Sequence, residues 1–182
     1  MSSSGAERAL AYVAERSVLV PHGCRFWSAA LTSKGYAKAV ITESGRERTV
    51  RVHRWLVEQV AGPDPLPPEL KVAHGCNESL CVQIDHLAAV SQRANLQQMA
   101  RENRAAGRAH VGVADTRGSL GRAQAIQAAL REGLDLPALA AAMLAGEARP
   151  LVREVLERGY DPAAYLAAVA ASDPTRGQLP LF

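Results

Sequence analysis

Residues 72–95 read VAHGCNESLCVQIDHLAAVSQRAN, and the placement of His74, Cys76, Cys81, His86 and Asn95 within them decides how the rest of the chain is read. Cys76 and Cys81 bracket a short Asn-Glu-Ser-Leu turn, and His86 is expected on the first turns of a following helix, so two thiolates and one imidazole can converge. That is three of the four ligands a tetrahedral structural zinc takes. The only other cysteine is Cys24, and a Cys3His set closed by it would use every cysteine in the chain. Such a set is soft and closed, which suits zinc. By itself it need only hold a small domain together, since structural zinc contributes about 10–16 kcal/mol of folding free energy in small modules.

His74 and Asn95 are left over, two residues before Cys76 and nine after His86. This spacing resembles the zinc-bearing HNH endonucleases of the ββα-metal, or His-Me finger, class. Cys24, followed closely by Trp27, resembles the remote ligand of that family, which precedes an aromatic residue and a Gly-Tyr strand like Gly35-Tyr36. The resemblance covers about residues 24–108. It implies an α+β fold with a zinc-stapled ββα-metal core, a β-hairpin before it, and a small helical annex after it. It further implies Zn2+ on Cys24, Cys76, Cys81 and His86, His74 as general base, and Asn95 as holder of a catalytic Mg2+ or Mn2+. The family usually has Asn after the second loop cysteine, where it pins the loop carrying the catalytic histidine; this chain has Gln83, the same amide on a longer arm.

The activity implied is metal-dependent hydrolysis of DNA phosphodiester bonds, with double-stranded DNA as partner and a homodimer as an option. The alternatives are a catalytically inactive zinc DNA-binding module and an adaptor. Arg93, Arg101, Arg104 and Arg108 recur along and beyond the Asn95 helix. Such a run is commonly a solvated face, but beside a phosphodiester site guanidinium groups read as phosphate contacts. Arg54, in the His-Arg pair that opens a helix in similar family members, is a further phosphate candidate, or else packs on the hairpin.

A chain of 182 residues with 4% aromatics suits a small zinc core plus a helical annex better than one large core. The formal charge of +3 permits nucleic-acid binding without announcing it. The start of the chain lacks a charged-then-apolar signal pattern and no apolar run reaches bilayer length, so no membrane association and a cytoplasmic location are expected. In that reducing compartment three cysteines argue for metal rather than disulfides.

The expected divisions are an N-terminal helical segment over 1–20, the nuclease domain over 21–109, the annex over 110–171 and a tail over 172–182. Residues 7–16 form a short helix with Leu10 and Val13 on one face. Residues 37–42 and 49–52 pair across a Glu-Ser-Gly-Arg turn. A helix carrying Trp55, Val57 and Val60 stops at Gly62-Pro63. The four prolines of 63–68 make a rigid connector, followed by strands ending at His74 and near 87–90, then a helix capped by Ser91.

In the annex, 129–135 recurs in weakened form as 155–161. Each copy ends a helix at Gly and caps the next with Asp, with Pro137 and Pro162 near the starts of those helices. The chain closes on Gln178, Leu179, Pro180, Leu181 and Phe182. This peptide looks like the bacterial sliding-clamp-binding motif, in which glutamine and a Leu-Phe pair fill separate subsites, so the clamp is an expected partner.

Overall fold

The computed structural model describes residues 5–43, 45–62, 66–105 and 115–172, with only the backbone described for Met99 and residues 101–105. The first helix, α1 (Gly5–Glu15), buries Ala9 and Val13, which lie one turn apart. Leu10 was expected on that face but is 41% exposed, since one residue rotates a side chain about 100° around the axis. Next come two antiparallel hairpins, β1 (Ser17–Leu19) with β2 (Arg25–Trp27), and β3 (Lys38–Glu43) with β4 (Arg46–Arg51). In the second, Ala39, Ile41 and Val50 face the core and Val40 and Thr49 face solvent, the alternation that a half-buried sheet requires.

Helix α2 (Val52–Ala61) follows β4 without a loop and buries Val52, His53, Trp55 and Leu56. The buried stripe lies at its N-terminal half, so Val60 is 41% exposed rather than packed as the pattern suggested. The third hairpin, β5 (Leu70–His74) with β6 (Leu87–Ser91), sets His74 opposite Leu87. His86 lies in a single 3-10 turn, Ile84–His86, before β6 rather than on a helix. Helix α3 (Gln92–Ala105) starts where Ser91 Oγ accepts from the Ala94 N–H at 3.2 Å, the cap expected of that serine. Hairpin and helix together form a ββα unit.

Four helices follow: α4 (Gly118–Ala129), α5 (Leu136–Leu144), α6 (Pro150–Glu157) and α7 (Pro162–Ser172). Gly133 and Gly159 adopt φ of 112° and 113° after α4 and α6. The Asp135 and Asp161 carboxylates accept from the Ala138 and Ala164 N–H groups at 2.9 and 2.6 Å. The Asp caps restart the next helix in both halves of the internal repeat, but only α6 ends at its glycine: α4 ends at Ala129 with Leu130 as its C-cap, and Gly133 lies in the turn beyond.

These helices share the core with the hairpins: Ile126, Leu139, Met143 and Tyr165 are buried in one cluster with Phe26, Trp27 and Leu80. Gln127 donates to the Trp27 and Ala29 carbonyls at 2.9 and 2.8 Å. Gly35 meets α4 so closely that a Cβ there would lie 2.5 Å from the Ser119 carbonyl oxygen. Arg122 of α4 enters the turn between Cys76 and Cys81, where Nη2 and Nε donate to Glu78 at 2.6 and 2.9 Å. Asp115, paired with the half-buried Arg117, and Glu147, paired with Arg149, complete a network of three cations and three anions centred on buried Arg122. Burial disfavours the Arg122 charge, but Glu78, with Tyr165 and Glu147, outweighs it and raises the guanidinium well above its ordinary value.

Candidate metal centre and adjoining histidines

Cys24 reaches the knuckle through backbone pairing. Strand β2 lies against the 80–82 segment, with the Trp27 N–H donating to Leu80 O at 3.2 Å and the Val82 N–H to Arg25 O at 2.8 Å. The second loop is closed by the Gly75 N–H donating to His86 O at 2.8 Å, and its turn places Asn77 at φ 56°, a left-handed conformation that asparagine tolerates. As a result the donor atoms of Cys24, Cys76, Cys81 and His86 all lie within 4.8 Å of one another. His86 Nδ1 is 3.6 Å from both the Cys24 and Cys81 sulfurs. Ligand bonds of about 2.3 Å to sulfur and 2.0–2.1 Å to nitrogen at a tetrahedral angle give nearly that separation, so the four residues fit a metal such as zinc.

The electrostatics agree. Hydrogen bonds from Cys24 and Cys76, assisted by the Gln83 and Arg25 backbone N–H groups, hold the Cys81 thiol down to about 4. Hydrogen bonding to Cys76 and Cys81, together with burial, holds the Cys24 thiol well above its ordinary value. Three thiolates crowded into one buried site repel, and a divalent cation is the counter-charge that lets all of them ionise. His22, two residues before Cys24, is not part of this set: its Nδ1 bonds the Tyr160 hydroxyl of the annex.

His74 ends β5 and is buried. Its Nε2 lies 3.1 Å from the Cys81 carbonyl oxygen, which can only accept, so the ring carries its proton on Nε2 and keeps the lone pair on Nδ1. Burial lowers its pKa from the ordinary histidine value, outweighing the opposite pull of Cys76 and the Cys81 carbonyl. Gln83, expected to take over the pinning role of the family asparagine, donates its amide to Asp85 at 3.0 Å instead. The backbone of the second metal-loop cysteine, not a side-chain amide, orients the imidazole.

Two residues that the sequence reading did not single out crowd the same ring. His53 and His74 have centroids 5.0 Å apart, and Tyr36 lies 5.1 Å from His53 and 5.9 Å from His74. His53 is buried with its Nδ1 lacking a hydrogen-bond partner among the described residues. Burial, then the charges of His74, Arg51 and Arg54, push its pKa well down. The Gly35-Tyr36 and His53-Arg54 dipeptides were the available signals, but nothing local says that they meet.

Asn95 is half-buried in the first turns of α3, which packs on β5 and β6, and one turn further Gln98 donates to the His74 backbone carbonyl at 2.9 Å. Arg93 is exposed at the start of the helix. Arg101 and Arg104 lie on its last turns, with side chains outside the described residues, as are Arg108 and the tail residues Gln178, Leu179, Leu181 and Phe182. Arg54 does not present itself to a phosphate: Nε donates to Glu58 at 2.9 Å, Nη1 to Leu70 O at 2.8 Å and Nη2 to Leu66 O at 2.7 Å. It fastens the connector and the start of β5 to α2.

Among the described residues no helix is long and apolar enough to cross a membrane. No curated protein and no solved structure matches the chain. The segment that holds His53, His74, Asn95 and three of the four clustered Cys and His side chains, residues 50–97, matches the model of a family described as HNH endonuclease.

Proposed function

We propose that the protein is a metal-dependent DNA endonuclease in which His74 is the general base. The observation that carries this reading is the imidazole bonded through Nε2 to the Cys81 carbonyl. That bond leaves Nδ1 to accept a proton from water, and burial keeps the ring neutral, the form a base needs. As the proton arrives, the carbonyl opposite stabilises the imidazolium, and the water oxygen becomes the nucleophile for the phosphorus. The Cys3His site begins two residues beyond His74, at Cys76, and stiffens the loop without entering the chemistry, since a closed set of four ligands leaves no open position.

Asn95 offers a hard amide oxygen on the helix packed against the His74 hairpin, of the class that Mg2+ or Mn2+ accepts together with phosphate oxygens and waters. When bound, such an ion would stabilise charge on the phosphate and the leaving oxygen. The resemblance of Gln178, Leu179, Leu181 and Phe182 to a clamp-binding peptide supports tethering to a bacterial sliding clamp. Deletion of these residues is expected to abolish clamp binding and spare cleavage of naked DNA.

The deciding test is cleavage of supercoiled plasmid by zinc-loaded protein with and without Mg2+, with His74→Ala alongside. Mg2+-dependent nicked or linear product, reduced at least 100-fold in the variant while zinc content is unchanged, is expected. Equal cutting by His74→Ala would eliminate it as the base. No cutting by folded wild-type protein would turn the reading to a zinc module that binds DNA without cleaving it.

A further inference from the structure

The β3–β4 register places Lys38 directly opposite Arg51. Residues opposite one another in an antiparallel pair share a face, with Cβ atoms about 4.5–5.5 Å apart. The neighbouring pair Ala39 and Val50 is buried, so Lys38 and Arg51 stand together on the outer face, beside Val40 and Thr49. Like charges in this position are destabilising. Neither side chain forms an ion pair among the described residues, although Arg48 on the same strand and Arg54 just beyond are both paired.

The pair also stands where α2 begins. Arg51 is the residue before the helix, its side chain makes no capping bond, and the first turn holds no acidic residue. The helix therefore presents a partial positive charge that nothing in its own first turn offsets. Two residues on, buried His53 leaves Nδ1 without a partner among the described residues, and its ring is 5.0 Å from that of His74. Two cations thus stand at the start of the helix that carries His53, where the Arg51 charge reaches the His53 imidazole packed on the proposed base, and no anion among the described residues offsets them.

Resting on the nuclease reading, we infer that Lys38, Arg51 and the start of α2 form a phosphate clamp for the DNA backbone next to the bond that is cut. Phosphate is the anion that fits: it bridges two cations, is favoured by the positive end of a helix, and recurs along a DNA strand. Lys38 and Arg51 are binding residues, outside the proton-transfer machinery.

The test measures binding of a short DNA duplex by fluorescence anisotropy in Mg2+-free buffer between 50 and 200 mM salt, comparing wild type with the Lys38→Gln, Arg51→Gln double variant, where each phosphate contact contributes about 0.9 to the slope of log K against log salt. The clamp predicts a slope shallower by about 2, with weaker binding at the lowest salt. An unchanged slope in the variant, with wild type still cutting plasmid, overturns the clamp alone. Wild type that neither binds nor cuts overturns the nuclease reading and the clamp with it. Thermal unfolding without DNA supplies a second measurement. Lys38→Gln relieves like-charge repulsion, so its Tm at low salt should equal or exceed that of wild type; a lower Tm would show that Lys38 serves the fold and overturn its role in the clamp.

Discussion

The imidazole of His74 shows how one backbone carbonyl can assign a chemical role. Because Cys81 O accepts from Nε2, the tautomer is set by a residue that is itself held by β2 and by the metal loop, so any loosening of the knuckle disorients the ring. Gln83 stands outside this arrangement, its amide bonded to Asp85 at the surface. Gln83→Ala is therefore expected to lose at most about 1 kcal/mol, the typical net worth of one hydrogen bond. Plasmid cleavage near the wild-type rate would agree, while a loss as deep as that of His74→Ala would show that the amide does orient the proposed base. The residue was conspicuous in the sequence because it departs from a pattern, yet its position relative to the imidazole depends on side-chain direction, which spacing does not encode.

Among the elements, the helices of the second half are delimited by local chemistry. Asp135 and Asp161 each accept from the N–H three residues on, and glycines with positive φ turn the chain after the preceding helices. Asp135→Ala and Asp161→Ala should each destabilise the chain by about 1 kcal/mol, and the losses should add in urea unfolding, because the two caps share no partner. The connector before β5 is a different case. Its prolines announce stiffness but not direction, and Arg54, hydrogen-bonded to Leu66 O and Leu70 O, supplies the direction. A residue read as a phosphate contact is engaged within the fold because Leu66, Pro67 and Leu70 offer it carbonyl groups beside α2.

Across the whole molecule, Arg122 links the annex to the metal loop through Glu78. Removing one partner of a buried ion pair leaves the other uncompensated, so Arg122→Ala is expected to destabilise by about 3–5 kcal/mol. It should also speed zinc loss to a chelator, because Glu78 sits between Cys76 and Cys81. Zinc release at the wild-type rate would show that the two halves are mechanically independent. Acid should act through the same network. Burial pushes the Asp115 pKa up, but Arg117 and Arg122 outweigh it and leave it below the usual carboxylate value. A depressed folded pKa means stability that is fully present above the unfolded value of about 3.9 and is lost as pH falls through the folded value. Urea unfolding at pH 5 and at successively lower pH should thus show a smaller decline for Asp115→Asn than for wild type.

What the sequence determined by itself is chemistry that depends on residue identity and near neighbours. The cluster of Cys24, Cys76, Cys81 and His86 was legible because thiol and imidazole are rare and the spacing in the loop is constrained. The ββα order and the annex caps were legible because hairpin alternation, serine, aspartate, proline and glycine act within a few residues. Tertiary structure alone decided that Tyr36 and His53 crowd His74, that Arg54 is engaged inside the protein, and that Arg122 seals the knuckle from 44 residues away. Those contacts join side chains whose separation in the chain carries no period, and their partners are chosen only when the core brings the elements together and buried charges and polar groups must be satisfied.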